Sequence, residues 1–329
     1  MSAPPLPREL QVEVTGACNL SCKMCLVRYR PKLGRAEGAM DLGLFRRLLD
    51  ELPDLEVLTL QGLGEPLLAP HLVDMVREAA ARGVRVGFNT NGMLLTRRRA
   101  EELIDAGLDW LHVSIDGATA ATYEGIREGV DLATVTDNLR GLMEAVRRAG
   151  AGRPRVSVVV VAMRRNVGEL ADIVRLAGEL GVPRVRVQGL SHSFDDAAEV
   201  GYAEIRAFAA REALWDGDPA AERAFAEARA AAEAAGVDLR LPRTGPRPPA
   251  REPGEPGCDW PWRSGYVTHR GEVQPCCMVM GADRLSLGNA RDGLAAVWEG
   301  RAYEEFRAAL TGDEPPSVCA GCSLYRGVF

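Results

Sequence analysis

From Leu10 to Gly189 the chain repeats one pattern: a short β-branched run, a turn, then apolar residues at helical spacing. Strand-like runs fall at Leu10–Thr15, Val57–Gly62, Val84–Asn89, Trp110–Ile115, Val156–Val161 and Val185–Gly189. Helical patterns lie between them at Leu42–Glu51, His71–Arg82, Arg97–Ala106, Thr134–Ala149 and Val167–Leu180. Strands that alternate with helices pair in parallel, because each crossover returns the chain to the same end of the sheet. Gly83, Gly107 and Gly181 each follow a helix, the position of a C-terminal cap. Six such units predict an α/β fold, a partial (β/α)6 TIM-like barrel. In parallel barrels the chemistry collects at the C-terminal ends of the strands.

A loop with unusual chemistry follows the first strand. Cys18, Cys22 and Cys25 are spaced C-x3-C-x2-C. Three thiolates this close in sequence can converge on one face of a metal cluster. A [4Fe–4S] cube has four irons, so three cysteines leave one iron open to a chelating small molecule. The net charge of −6 argues against a large nucleic-acid footprint. No stretch is long and apolar enough to span a membrane, and Met1–Pro7 lacks the apolar core of a signal peptide. A reducing, cytoplasmic location is therefore expected, with the eight cysteines as ligands or thiols rather than disulfides.

The cysteine run resembles that of the radical S-adenosylmethionine (radical SAM) superfamily, and further motifs follow in that family's order. The second strand leads into Gln61-Gly62-Leu63-Gly64-Glu65-Pro66, similar to the family's Gly-Gly-Glu-Pro turn with Leu63 in place of the first glycine. The third ends in Thr90-Asn91-Gly92, and the fourth in Ser114-Ile115-Asp116-Gly117, with Arg127 downstream. The sixth ends in Gln188-Gly189-Leu190. The resemblance implies a [4Fe–4S] cluster on Cys18, Cys22 and Cys25, and SAM bound at its open iron. It implies that Gly64 and Glu65 approach the SAM amino group, that Ser114 helps hold its polar groups, and that Arg127 pairs with its carboxylate. Asp116 either joins the SAM site or caps the next helix. Gln188 is expected where the family lays the adenine, with Met24 at a position usually aromatic. The implied chemistry is reductive cleavage of SAM to a 5′-deoxyadenosyl radical, with an external electron donor such as flavodoxin or ferredoxin.

Three regions are expected: a barrel over 1–190, a helical segment with a proline-rich linker over 191–257, and a small domain over 258–329. Residues 197–236 are rich in Ala, Glu and Arg and predict one or two helices, read as a solvated connector in preference to a lid over the barrel mouth. Six prolines within 242–257 predict a stiff, extended linker. Beyond it, Cys258, Cys276, Cys319 and Cys322, with Gly271–Cys277 between them, resemble the SPASM/Twitch C-terminal region, which carries auxiliary [4Fe–4S] clusters. Four ligands imply one closed auxiliary cluster; structural zinc is the competing use of such cysteines.

Cys277 is then left over. A thiol can quench a carbon radical by hydrogen donation, so Cys277 is a candidate catalytic donor in an epimerase. It can equally be a buried apolar residue or a substitute ligand. The expected reaction is epimerisation at a carbinol carbon of a small polar molecule: a sugar, cyclitol or aminoglycoside. Alcohol dehydrogenation with the auxiliary cluster as electron acceptor is the first alternative, and modification of a ribosomally made peptide the second.

Overall fold

The computed structural model describes residues 4–29, 38–150, 152–190, 192–194, 202–214, 218–242, 258–312 and 314–326. The strands, in chain order, are β1 (Glu9–Val12), β2 (Ser21–Cys22), β3 (Val57–Thr59), β4 (Arg85–Thr90), β5 (Trp110–Ser114), β6 (Arg127–Glu128), β7 (Arg155–Val161), β8 (Arg184–Gln188), β9 (Asp238–Arg240), β10 (Ser264–Val267), β11 (Glu272–Gln274) and β12 (Gly288–Asn289). The six expected strands are β1, β3, β4, β5, β7 and β8, paired in parallel in that order. Helices α1 (Leu26–Tyr29), α2 (Leu42–Glu51), α3 (Leu72–Ala81), α4 (Arg97–Asp105), α5 (Ala120–Ile126), α6 (Leu132–Ala149) and α7 (Leu170–Glu179) lie between them. The arrangement is an open, partial barrel.

Alternation along the strands gives the sheet two unlike faces. Val12, Leu58, Val86, Leu111, Val158 and Val185 are buried in one core with Leu44, Met75, Leu103, Leu139 and Val174 of the helices. Each such side chain contributes about 1.5–3 kcal/mol on burial. A one-residue slip would reverse the faces, so the register is strongly specified. Gln11, Thr59, Asn89, His112, Ser157 and Arg186 fall on the opposite face, the lumen of the barrel.

Helix starts follow local capping chemistry. Asp41, Thr96, Thr119 and Asp131 accept backbone N–H bonds at the starts of α2, α4, α5 and α6. The Asp131 cap explains why α6 begins two residues before the apolar pattern suggested. Thr119 is the N-cap of α5, so Asp116 is not.

The sheet continues past the six units on both sides. Strand β9 joins β8 in parallel, and β10 joins the far edge of β1 in parallel, followed by antiparallel β11 and β12. The solvated-connector reading of 197–236 fails for the described part. Helix α8 (Ala203–Glu212) buries Ile205 with Leu26 and Tyr29 of α1, and Phe208 with Ile126 and Met163. It therefore packs over the cysteine loop. Helix α9 (Pro219–Ala235) buries Ala221, Ala224, Phe225 and Ala228 in the main core and leads into β9. Small alanine side chains let α9 approach α7 closely, and composition alone hid this apolar stripe. Most of the expected proline-rich linker, 243–257, lies outside the described residues.

Candidate active site

The cysteine loop is fixed on three sides. Thr15 Oγ1 donates to the Gly38 carbonyl at 2.8 Å and accepts from Ala17 N at 3.2 Å. Lys23 N donates to the Ile126 carbonyl at 3.0 Å, and β2 pairs with β6 so that Cys22 faces Arg127. Both Lys23 and Arg28 form ion pairs with Glu128. All eight cysteines are free thiols. Burial pushes the Cys25 thiol up to about 12, reinforced by charge coupling to Cys22 and Cys18. The three thiols thus lie near enough to feel one another's charge. Buried thiols crowded together resist ionisation until a cationic metal supplies the countercharge, so the donor set suits an iron–sulfur cluster.

Gly64 and Glu65 are welded to this loop. A Cβ on Gly64 would lie 2.2 Å from the Thr15 carbonyl oxygen and 2.6 Å from that of Ala17. Glu65 N donates to the Ala17 carbonyl at 2.8 Å. The Glu65 carboxylate accepts from Thr90 Oγ1 at 2.7 Å, Asn91 N at 2.8 Å and Leu67 N at 3.2 Å. Burial raises its pKa despite these bonds. Asn91 Nδ2 reaches the Asn19 side chain at 2.9 Å, tying the Thr90-Asn91-Gly92 turn to the cysteine loop. Gly92 supplies the left-handed residue of that turn, at φ 79°.

Ser114 and Asp116 part company at the end of β5. Ser114 opens toward the lumen and its carbonyl accepts the Tyr123 hydroxyl at 2.5 Å. Asp116 is fully buried: Oδ2 accepts from Arg127 Nε at 2.6 Å and Oδ1 from Val161 N at 2.7 Å. The expected pairing of Arg127 with a SAM carboxylate is thus partly pre-empted, since Nε is committed to Asp116 and Nη1 lies 3.9 Å from Cys22 Sγ. Burial alone would lower the Arg127 pKa, but Asp116 and Cys22 hold it raised. Gln188 ends β8 beside Val161 of β7, and Met24, Val161 and Leu190 all pack against the cluster of Ile126, Met163 and Phe208. The residues expected around adenine are thereby neighbours.

The C-terminal cysteines also lie near enough to feel one another's charge. Burial raises the Cys276 thiol, with further contributions from Cys277, Cys322 and Cys319. Cys277 is pushed up to about 12 by burial and then by Cys322 and Cys258. Cys277 therefore lies within charge-coupling reach of Cys322 and Cys258. Cys322 also forms a β-bridge with His192, just beyond β8.

Two lumen features escaped the sequence reading. Glu13 is buried at the end of β1 and accepts from His269 Nδ1 at 2.7 Å, the Tyr266 hydroxyl at 2.9 Å and Leu63 N at 3.0 Å. Burial alone would raise the Glu13 pKa, but these bonds leave it lowered. This carboxylate joins the Leu63-Gly64-Glu65 turn to β10. On β5, His112 Nδ1 donates to Asn89 Oδ1 at 3.0 Å, with Trp110 stacked 4.5 Å away. Burial, then Arg186, lowers the His112 pKa to about 4. Its signal was present: polar residues at every second position of L-Q-V-E-V, W-L-H-V-S and R-V-R-V-Q.

Family comparison decides the identity. The radical SAM superfamily matches residues 12–186. The chain belongs to that superfamily. An iron–sulfur cluster-binding domain, SPASM, matches residues 258–323. Among relatives, a Pyrococcus furiosus tungsten-containing aldehyde ferredoxin oxidoreductase cofactor-modifying protein is 29% identical over 96% of this chain and 87% of its own. An AdoMet-dependent heme synthase from Nitratidesulfovibrio vulgaris is 27% identical, over 95% of this chain and 84% of its own. A PqqA peptide cyclase from Methylocella silvestris is 30% identical, over 95% of this chain and 80% of its own. In fold, Streptococcus suis SuiB bound to S-adenosylmethionine superposes with a TM-score of 0.71 at 16% identity, covering 98% of this chain and 72% of SuiB. This radical SAM protein accordingly uses SAM and [4Fe–4S] clusters. No helix among its described residues is long and apolar enough to cross a membrane.

Proposed function

We propose that this radical SAM enzyme modifies a peptide: hydrogen is abstracted from a side-chain carbon, a new covalent link forms there, and a second hydrogen leaves as a proton and an electron that the auxiliary cluster, when bound, would accept. This replaces the epimerase expected at a sugar or cyclitol carbon. What carries the change is the set of relatives named above, a cofactor-modifying protein, a heme synthase and a peptide cyclase. Cys277 is also buried within charge-coupling reach of Cys322 and Cys258. The similarity to a PqqA peptide cyclase over 95% of the chain supports the peptide reading. The polar lumen supports a large polar substrate in preference to a packed barrel core.

A [4Fe–4S] cluster on Cys18, Cys22 and Cys25 supplies, with SAM, the 5′-deoxyadenosyl radical. The chain's own residues do the rest. Gly64 brings the SAM-binding turn against the cysteine loop, and Glu65 fixes that turn to Thr90-Asn91. Ser114 opens to the lumen beside it, and Met24 and Gln188 flank the adenine. Asp116 orients Arg127 beside Cys22. Cys258, Cys276, Cys319 and Cys322 hold the auxiliary cluster, with Cys277 as a fifth thiol at the same centre. A flavodoxin or ferredoxin delivers the electron.

The test compares substrate classes on the reconstituted enzyme. Release of 5′-deoxyadenosine is measured with a peptide encoded beside the gene, with a panel of sugars and aminocyclitols, and with a tetrapyrrole. Peptide-dependent acceleration with a product two mass units lighter is expected. Acceleration by a sugar or tetrapyrrole alone would overturn the proposal.

A further inference from the structure

The lumen carries more positive charge at one edge than its own acids neutralise. Arg184, Arg186 and Gln188 alternate along β8 with Val185 and Val187, which are buried on the helix side. Arg186 is the register partner of Arg240 on β9, so the two arginines emerge side by side, about 5 Å apart at the backbone. The nearby acids are committed elsewhere. Asp238 pairs with Arg184 at 3.7 Å, and Asp109 pairs with Arg153 at 3.0 Å and Arg155 at 2.5 Å. Among the described residues, neither the Arg186 nor the Arg240 side chain forms an ion pair or hydrogen bond.

Two guanidinium groups side by side repel, and since both are exposed a ligand from solvent can reach them. Burial of part of the side chain, then Arg240 and Arg184, depresses the Arg186 pKa, with Asp238 offsetting only part of it. The arginine fork matches a planar carboxylate with two parallel hydrogen bonds. Position matters as well. Arg186 pairs across β7 Val159, and Val159 pairs with Ser114. The unpaired cation therefore lies on the same cross-sheet row as the serine that opens toward the SAM-binding end. His112 faces the same lumen. Its Nδ1–H is used by Asn89, so Nε2 is left as an acceptor for a substrate N–H.

We infer that Arg186 and Arg240 form a subsite for a carboxylate of the substrate, which, on the peptide reading proposed above, is a glutamate or aspartate side chain. The ligand enters along the β8–β9 edge. Arg186 grips the carboxylate, Arg240 adds the second positive charge, and the rest of the molecule extends along the lumen toward Ser114.

The test measures binding to the reconstituted holoenzyme by equilibrium dialysis at low salt. The probes are glutarate, an acetylated peptide with one central glutamate, and the same peptide with glutamine instead. The glutamate peptide is expected to bind about tenfold more tightly than its glutamine twin. Arg186→Ala and Arg240→Ala should erase the difference, Arg186→Lys should keep part of it, and Arg184→Ala should retain it. Iron content monitors folding of each variant. Glutarate binding that depends on Arg186, with neither peptide bound, would uphold the subsite and overturn the peptide reading. Equal binding of the two peptides, or a glutamate preference that survives Arg186→Ala, would overturn the subsite and leave the peptide reading standing. Failure of all three probes to bind would also overturn the subsite.

Discussion

Replacing Asp116 by alanine is expected to cost the protein about 3–5 kcal/mol, the range for stripping one partner from a buried ion pair. The geometry sets the size. Asp116 is wholly buried, and its two oxygens accept from Arg127 Nε at 2.6 Å and Val161 N at 2.7 Å. Alanine leaves a guanidinium with only 12% of its side chain exposed and no carboxylate, beside the Cys22 thiol at 3.9 Å. It also orphans the Val161 N–H, worth about 1–3 kcal/mol by itself. Asp116→Asn keeps an acceptor for Val161 but not the charge, and should fall between wild type and alanine. Asp116→Leu combined with Arg127→Met removes both charges and should recover much of the loss. Urea unfolding of the reduced, metal-free protein reads this directly, with a midpoint shift of roughly 1–2 M for the alanine variant. The reasoning is refuted if Asp116→Ala lies within about 1 kcal/mol of wild type, or if the double variant is less stable than the single.

Gly64→Ala would place a methyl group 2.2 Å from a backbone oxygen of the cysteine loop, so the loop must move. Iron content after reconstitution should fall, with the C-terminal cluster retained; full iron loading would contradict the close approach. Changing Cys18, Cys22 and Cys25 together to alanine should halve the iron, from about eight to about four per chain, and abolish 5′-deoxyadenosine formation. Continued formation of that product would remove these residues from the SAM site. His112 is depressed from 6.5 to about 4, so the unfolded chain binds the extra proton first as pH falls. Its stabilising contribution is present above pH 6.5 and is lost as pH falls through 4, by roughly 2 kcal/mol between pH 7 and 5. His112→Asn should lose less stability than wild type over that interval, and equal losses in the two proteins would rule His112 out as the source. Glu65→Gln keeps one acceptor oxygen but sets an amide N–H2 against the donor or donors of the other, and should raise the SAM concentration needed for half-maximal cleavage at unchanged iron content; unchanged SAM dependence would exclude Glu65 from the site.

The barrel was legible because strand and helix periods differ and each βα unit shows both. Helix Leu42–Glu51 was located to the residue, since its apolar stripe and its Asp41 cap agree. The cysteine motifs were legible because metal chemistry needs particular atoms at close spacing. Other features depend on contacts far apart in sequence. Nothing local to Glu13 reveals His269 as its partner. Nothing near Ala221 or Ala228 shows that an alanine-rich stretch is a core helix against α7 rather than a solvated one. The pairing of Arg127 with Asp116 was missed for a related reason: both stood in the motif, but each was weighed against a ligand and not against the other. Lumen residues such as His112 and Arg186 were visible as alternating polar positions, yet their meaning appears only when neighbouring strands align them.

The pairing of β1 with β10 also bears on the timing of synthesis. Ser264, the partner of Glu9 across the sheet, leaves the ribosome roughly 250 residues after it. At about 5–20 residues per second, the strand that carries the cysteine loop waits on the order of 10–50 s for its second neighbour. Tyr266 and His269, which clasp Glu13, arrive in the same late segment. Until residues 264–269 are made, β1 and the loop it carries lack this neighbour, so iron delivery into a fully formed pocket follows the synthesis of that segment.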